Sequence, residues 1–368
     1  MSTDLDLPEA LAAAYPELAG VAAAAPDPVY LVGGAVRDLL LGRGRADIDL
    51  VVEGDPAALA AALGVEAVAM HPRFGTLKLR LGDEEVDVAA SRRETYAEAG
   101  ALPSVELGAP IRTDLARRDF TVNAMAVPLA RPHGLIDPYD GQVDLGEGVL
   151  RVIHDRSFVD DPTRLIRAAR YAARFGFGLE EGTEKLLRAA DLGTVSVERR
   201  AEELRRLADE ETGVQGLVLL AGWGVVETSA ERLALAQAVD ELLGSPPWDG
   251  EVDRAEAILA AALGPEAGEG ALASARPSRP SEGVALARGR DPIELVLARA
   301  AGAAWLDDWL RWRTVSLEIT GTDLTAAGLQ GPAIGEALEA ALQAKLDGQA
   351  PTRADELRVA LAATDTKR

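Results

Sequence analysis

The sequence predicts an α+β chain, with a small sheet and its helices first and helices alone thereafter. Three observations carry this. Short apolar or alternating runs recur between Val29 and about Ala130, turn residues cluster over Asp137–Gly141, and beyond them the apolar residues fall at helical spacing. At 368 residues and 48% hydrophobic composition, the chain is long enough for two or three packed units.

Each element has a local reason. Residues 1–28, rich in Ala and acid, read as a helical lead-in. The run Val29-Tyr30-Leu31-Val32, stopped by Gly33-Gly34, reads as a strand and a tight turn. A helix from Ala35 to Leu41 is ended by Gly42. Residues 47–52 open by alternating polar and apolar side chains, as a half-buried strand does. From 55 to 63 a helix is expected, with Asp55 as N-cap and Pro56 in its first turn. Residues 75–81 and 84–89 suit two strands joined in a hairpin at Gly82-Asp83. Helices are expected over 162–175, 183–190, 197–208 and 333–345. The Gly/Pro/Ser/Ala-rich stretch 264–292 reads as a flexible linker. The organisation expected is a lead-in to residue 28, a catalytic head over 29–145, a helical neck over 146–210, and a helical body and tail over 211–368.

Composition removes whole classes of chemistry. There is no cysteine, so disulfides, thiolate zinc sites and cysteine nucleophiles are excluded, in keeping with a reducing cytoplasm. The three histidines, His71, His133 and His154, are scattered, and a histidine triad lacks its parts. The N-terminus has no basic region before an apolar core, and no stretch approaches the roughly 20 apolar residues of a membrane span. A soluble, cytoplasmic protein without membrane contact is expected, and nothing calls for an obligate protein partner. The formal charge of −22 argues against RNA binding by the whole surface, so an RNA substrate would require basic residues concentrated locally.

Asp47-Ile48-Asp49 is the most informative feature. On a strand, side chains at i and i+2 share a face, so the two carboxylates project together while Ile48 and Leu50 turn inward. Paired hard oxygens suit Mg²⁺, which also binds phosphates. Upstream, Gly33 and Gly34 let backbone N–H groups approach a phosphate, and Arg37 adds a charged donor. Asp87, on a later strand that also carries Glu85, is a candidate third carboxylate.

The ordered set Leu31-Val-Gly-Gly-Ala-Val-Arg-Asp38 and Asp47-Ile-Asp49 resembles the head signature of tRNA nucleotidyltransferases, the CCA-adding enzymes and bacterial poly(A) polymerases of the polymerase-β-like superfamily. The resemblance implies a nucleotidyltransferase head followed by an all-helical neck, body and tail. It assigns catalytic magnesium to Asp47 and Asp49, and triphosphate contacts to Gly33, Gly34 and Arg37. The segment Arg117-Arg118-Asp119-Phe120-Thr121-Val122-Asn123 matches the family's second motif, which implies nucleotide and sugar contacts from Arg117, Arg118, Asp119 and Asn123. Residues 137–145 resemble its third motif, a hinge between head and neck.

Asp160-Asp161-Pro162-Thr163-Arg164 resembles the nucleotide-selecting motif, with Asp160 where Glu is usual. Asp161 before Pro162 is also a good helix start, so capping is the bland alternative. In the functional reading a carboxylate accepts from the exocyclic amine of C or A while Arg164 donates to the adjacent ring atom, and U or G leave the carboxylate facing a carbonyl. Arg164, Arg167, Arg170 and Arg174 fall within about 120° of one helix face. Residues 151–206 hold 12 Arg or Lys against 10 Asp or Glu, which is the local basic concentration sought. Ser196 through Leu204 resembles the last neck motif, thought to be structural, and residues 319–348 resemble the tail; the match between 211 and 318 is weak. Trp305, Trp309 and Trp312 recur at helical spacing and read as core.

The expected activity is addition of C, with A as a second nucleotide, to the tRNA 3′ end from CTP and ATP. CC-only addition, A-only addition and polyadenylation are alternatives within the family. Family members carry a charged flexible loop after the segment matching Arg92–Tyr96, and here it is the small, apolar Ala97–Pro103, which adds weight to CC-only addition. Outside the family's activity stand an inactive RNA-binding relative and a transferase acting on small molecules.

Overall fold

The computed structural model describes residues 6–43, 45–71, 75–265 and 269–365. The chain divides into two compact units, Met1–Val226 and Glu227–Arg368.

The first unit is built on six strands: β1 Val29–Val32, β2 Ile48–Val52, β3 Ala67–His71, β4 Thr76–Leu81, β5 Glu84–Ala90 and, after two strands outside this sheet, Ala126–Pro128. Those two, β6 Arg92–Thr95 and β7 Ser104–Leu107, pair only with each other, and Ala126–Pro128 is β8. The order across the sheet is β3-β4-β5-β2-β1-β8. β1 lies between two antiparallel partners and is buried at all four residues, which is why its sequence is an unbroken apolar run. β2 pairs antiparallel with β1 and parallel with β5. The expected hairpin forms, with Leu81 opposite Glu84.

Tyr30, Val32 and Val51 pack on one face of the sheet against Ile111 and Leu115 of the helix Ile111–Ala116. The helix Pro56–Leu63 packs against β4 and β5 and buries Leu59 completely. Asp55 caps it as expected, accepting from Ala57 N at 2.9 Å.

Helices Arg164–Phe175, Glu181–Ala189 and Val197–Ala208 follow the expected pattern. The first of these starts two residues later than expected, because Asp161-Pro162-Thr163 forms a turn before it. Helix Gly213–Gly222 packs on two of these helices and buries Val214, Leu217 and Leu220 within the first unit.

Among its described residues the second unit is entirely helical. The stretch expected to be a flexible linker over 264–292 instead carries helices Glu269–Ser274 and Pro280–Ala287. Its residues pack: Leu272 and Ala287 are buried, and a Cβ on Gly283 would lie 2.5 Å from the Trp312 ring and 3.3 Å from Trp305. Trp305 and Trp312 are half-buried and close on Gly283, so they pack within the helical unit without being fully enclosed, while Trp309 carries the Arg313 guanidinium over its ring. No helix among the described residues is long and apolar enough to cross a membrane.

Candidate active site

A cleft of about 920 Å³ opens in the first unit, lined by all the candidate nucleotide-binding residues named from the sequence together with Asp47 and Asp49. Asp87 is the one candidate outside that lining. Its backbone lies directly opposite Asp49 in the parallel β2–β5 pair.

The strand alternation works as the sequence implied, with Ile48 and Leu50 buried and Asp49 exposed. Asp47 sits one residue ahead of the strand rather than on it, because ladder pairing with β5 begins at Ile48. Desolvation in the cleft raises the Asp49 pKa above the usual carboxylate range; Arg118 opposes this, and Asp87 and Asp47 add to it. No hydrogen bond or ion pair from a described residue reaches the side chain of Asp47 or Asp49. Asp87 differs. It accepts from Lys78 Nζ at 3.2 Å, and Glu85 pairs with Arg80 at 3.0 Å. Among the described residues no three carboxylates or histidines are gathered to hold a metal. Asp47 and Asp49, hard-oxygen ligands without a hydrogen-bond partner in the described protein, are the residues that could hold a divalent cation.

Gly33 faces this pair with φ +65°. A Cβ there would lie 2.8 Å from Arg118 Nη1 and 3.9 Å from Asp49 Oδ2, so only glycine leaves the backbone open at this point.

Two carboxylates that sequence reasoning missed, the buried Asp114 and the cleft-lining Glu94, hold the arginines of the second motif. Asp114 is fully buried and accepts from Arg117 Nε at 2.9 Å, Arg118 Nη2 at 3.3 Å and Arg92 N at 3.1 Å. Glu94 accepts from Arg117 Nη1 at 3.1 Å and from the Tyr96 hydroxyl at 2.8 Å. Burial, with Glu94 beside it, raises the Tyr96 pKa well above the usual tyrosine range. The signal for Asp114 was present, since it lies three and four residues before the two arginines, the spacing of helical ion pairs. Burial lowers the Arg118 pKa, against the pull of Asp114, and Arg118 Nε is buried with no partner among the described residues.

Arg37 is buried and held on three sides. It donates to Asp38 through Nε at 2.8 Å and Nη2 at 3.1 Å, and to Asn123 Oδ1 through Nη1 at 2.7 Å, with its guanidinium 4.4 Å from the Phe175 ring centroid. Asn123 Nδ2 in turn donates to Asp119 Oδ1 at 3.0 Å. Burial alone would raise the Asp119 pKa, but Arg167 and Asn123 outweigh it and hold the group down to about 2. Arg170 lies 3.6 Å from Glu203 and 3.3 Å from Glu210, and Arg174 lies 3.7 Å from Glu210. The basic helix face expected from the sequence is therefore largely matched by the protein's own carboxylates.

Arg164 is the exception on that helix. It is buried, has no carboxylate within ion-pair distance among the described residues, and donates through Nη2 to the Arg117 carbonyl at 2.6 Å. Its Nη1 is buried without a hydrogen-bond partner. Asp161 concentrates its bonds on one oxygen: Oδ1 accepts from Thr163 N at 3.2 Å, Thr163 Oγ1 at 2.7 Å and Arg199 Nη2 at 2.9 Å. No described residue donates to Oδ2. The turn-forming and functional readings of Asp161 are therefore compatible, because the turn uses only one oxygen. Asp160 pairs with Arg156 at 2.9 Å and does not line the cleft.

Comparison with known proteins places this geometry. Residues 29–151 match the poly(A) polymerase head domain family. Over 92% of its length the chain is 37% identical to the CC-adding tRNA nucleotidyltransferase of Deinococcus radiodurans, covering 90% of that protein. It is 33% identical over 92% of its length to the A-adding tRNA nucleotidyltransferase of Geobacter sulfurreducens, but spans 45% of that longer protein. Against other A-adding relatives it spans 26% and 55% of their length. An apo form of a solved CCA-adding enzyme superposes with a TM-score of 0.83 at 29% identity, over 97% of this chain and 99% of that one.

Proposed function

We propose that this chain, which belongs to the tRNA nucleotidyltransferase family, adds C, and A after it, to the 3′ end of tRNA in the cytoplasm. The observation that carries the reading is the pair of unused groups in the cleft. Asp161 Oδ2 is an acceptor without a donor, and Arg164 Nη1 is a donor without an acceptor. The Watson–Crick edge of cytosine or adenine offers an amine beside a ring nitrogen and satisfies both, whereas uracil and guanine set a carbonyl against the carboxylate. The A- and CC-adding names of the relatives support the same two bases.

Enzymes of this family work with a divalent cation. Magnesium, held by Asp47 and Asp49, would when bound neutralise the triphosphate and make the RNA 3′-hydroxyl a better nucleophile. The chain's own residues do the positioning. The Gly33–Gly34 backbone and Arg118 would meet the triphosphate, while Asp119, whose oxygens are taken by Phe120 N, Asn123 and Arg167, holds Asn123 and Arg167 in place at the cleft wall. The 3′-oxygen attacks the α-phosphorus, the bond to the bridging oxygen breaks, and pyrophosphate leaves.

A tRNA transcript lacking its terminal CCA, incubated with Mg²⁺ and CTP, ATP or both and then sequenced at its 3′ end, tests this. C added from CTP, followed by A when both are present, is the expected result. Extended A tracts would move the reading to polyadenylation, and tight tRNA binding without any transfer would move it to an inactive relative. Addition of C alone is the second reading, favoured by the small, apolar loop over residues 97–103 and by its attachment at Gly100 to Val159 O.

A further inference from the structure

We infer that Arg199 is a selectivity-determining positioning residue: it pins one oxygen of the Asp161 carboxylate so that the other is held free, in a fixed orientation, for the incoming base. This rests on the reading of Asp161 as the base-recognising acceptor.

Arg199 lies in the first turn of helix Val197–Ala208, whose N-terminus is capped by Ser196. Its guanidinium bridges two points. Nη2 donates to Asp161 Oδ1 at 2.9 Å and Nη1 to the Gly100 carbonyl at 2.9 Å. The second anchor is itself fixed. Gly100 N donates to Val159 O at 3.1 Å, φ at Gly100 is +70°, and a Cβ there would lie 2.6 Å from the Thr194 carbonyl oxygen. A planar fork with one arm on a fixed carbonyl has little freedom in the other arm. One oxygen thus receives three donors, and swinging the carboxylate out of this orientation would break all of them.

Without the guanidinium, Thr163 alone holds Oδ1. The carboxylate can then turn, and a base presenting a carbonyl no longer meets a fixed acceptor. Arg199 also lines the cleft, but its guanidinium is engaged by the Gly100 carbonyl and Asp161, so its influence on the base passes through Asp161. A residue that only stabilised the neck would affect all nucleotides alike.

The test compares Arg199→Gln, Arg199→Lys and Gly100→Ala with the parent protein, using Asp161→Ala as reference. Steady-state kcat/KM for CTP and UTP is measured on one tRNA primer, and Kd for both nucleotides is taken by equilibrium dialysis. Loss of a charge-assisted hydrogen bond predicts that the CTP:UTP preference falls roughly 10- to 100-fold in Arg199→Gln. It should recover in part in Arg199→Lys and fall less in Gly100→Ala, which displaces the second anchor while keeping the guanidinium; thermal midpoints of all three variants report whether each is folded. Equal losses for CTP and UTP, with the preference intact in all three while Asp161→Ala abolishes it, would overturn the role of Arg199 and leave the templating reading standing. A preference unchanged in Asp161→Ala as well would overturn both. Should Arg199→Gln fail to fold, the other two variants decide the matter by the same ratio.

Discussion

Arg167 Nε donates to Asp119 Oδ2 at 2.9 Å across 48 residues of sequence, tying the helix Arg164–Phe175 to the second motif. Its electrostatic consequence is testable with acid. The folded-state pKa of Asp119 is held at about 2, below its ordinary value. A depressed carboxylate stabilises the fold fully above its unfolded pKa, and that contribution is lost as the pH falls from about 4 toward 2. Urea unfolding at pH 7, 4 and 2.5 should show Asp119→Asn less stable by about 2 kcal/mol at pH 7, with the difference shrinking toward pH 2. A difference that does not change with pH would contradict this account.

Asp47 and Asp49 carry no hydrogen bond within the described protein, so replacing them removes a repulsive pair from the free enzyme. Asp47→Ala and Asp49→Ala should keep or slightly raise the thermal midpoint. Transfer of labelled CTP to tRNA should fall by roughly 10³-fold, the scale expected when a metal's stabilisation of developing charge is lost. Normal transfer by either variant would remove the metal assignment.

Arg164 has a different signature. A buried donor without a partner costs stability in the free protein, on the order of 1–3 kcal/mol, and a bound base would relieve it. Arg164→Met should therefore weaken CTP binding about 10- to 100-fold, by loss of a charged hydrogen bond, without a matching loss of thermal stability. Equilibrium dialysis and calorimetry on the same preparation measure both quantities. Parallel losses would mean that the side chain serves the fold and not the ligand.

Gly33→Ala combines two faults. The positive φ disfavours a side chain by roughly 1–2 kcal/mol, and the added carbon presses on Arg118 Nη1. KM for CTP should rise several-fold together with a lower thermal midpoint. Gly42→Ala, which also has φ above zero but open space around it, should lower the midpoint without touching KM.

Local chemistry was legible in the sequence where it depended on neighbours in the chain. The apolar run of β1, the alternation at Ile48-Asp49-Leu50 and the cap at Asp55 each predicted its element, because the cause lies within a few residues. β6 and β7 escaped detection. Their residues, such as Arg92, Arg93 and Glu106, are charged, and the ribbon is held by cross-strand pairing, including the Arg93–Glu106 ion pair at 3.1 Å. The 264–292 segment misled for the opposite reason: Gly283 and Ala287 look like linker residues, yet Ala287 is buried and Gly283 is small so that tryptophan rings can close on it. Within the site, residue types were legible and pairings were not. Nothing in the sequence indicates that Arg199 reaches Asp161, or that Arg37 is bound to Asn123, since both contacts exist only once distant segments meet.

The parallel β2–β5 ladder has one further implication. It sets Asp49 beside Asp87, and the side-chain period of a strand is two residues. A slip of β2 by one place would turn Asp49 to the face that Ile48 and Leu50 now bury and bring an apolar residue to the cleft in its place. The apolar residues that never touch a nucleotide therefore guard the chemistry: misaligned folding would yield a protein that is both unstable and chemically silent, with no inactive but well-packed alternative.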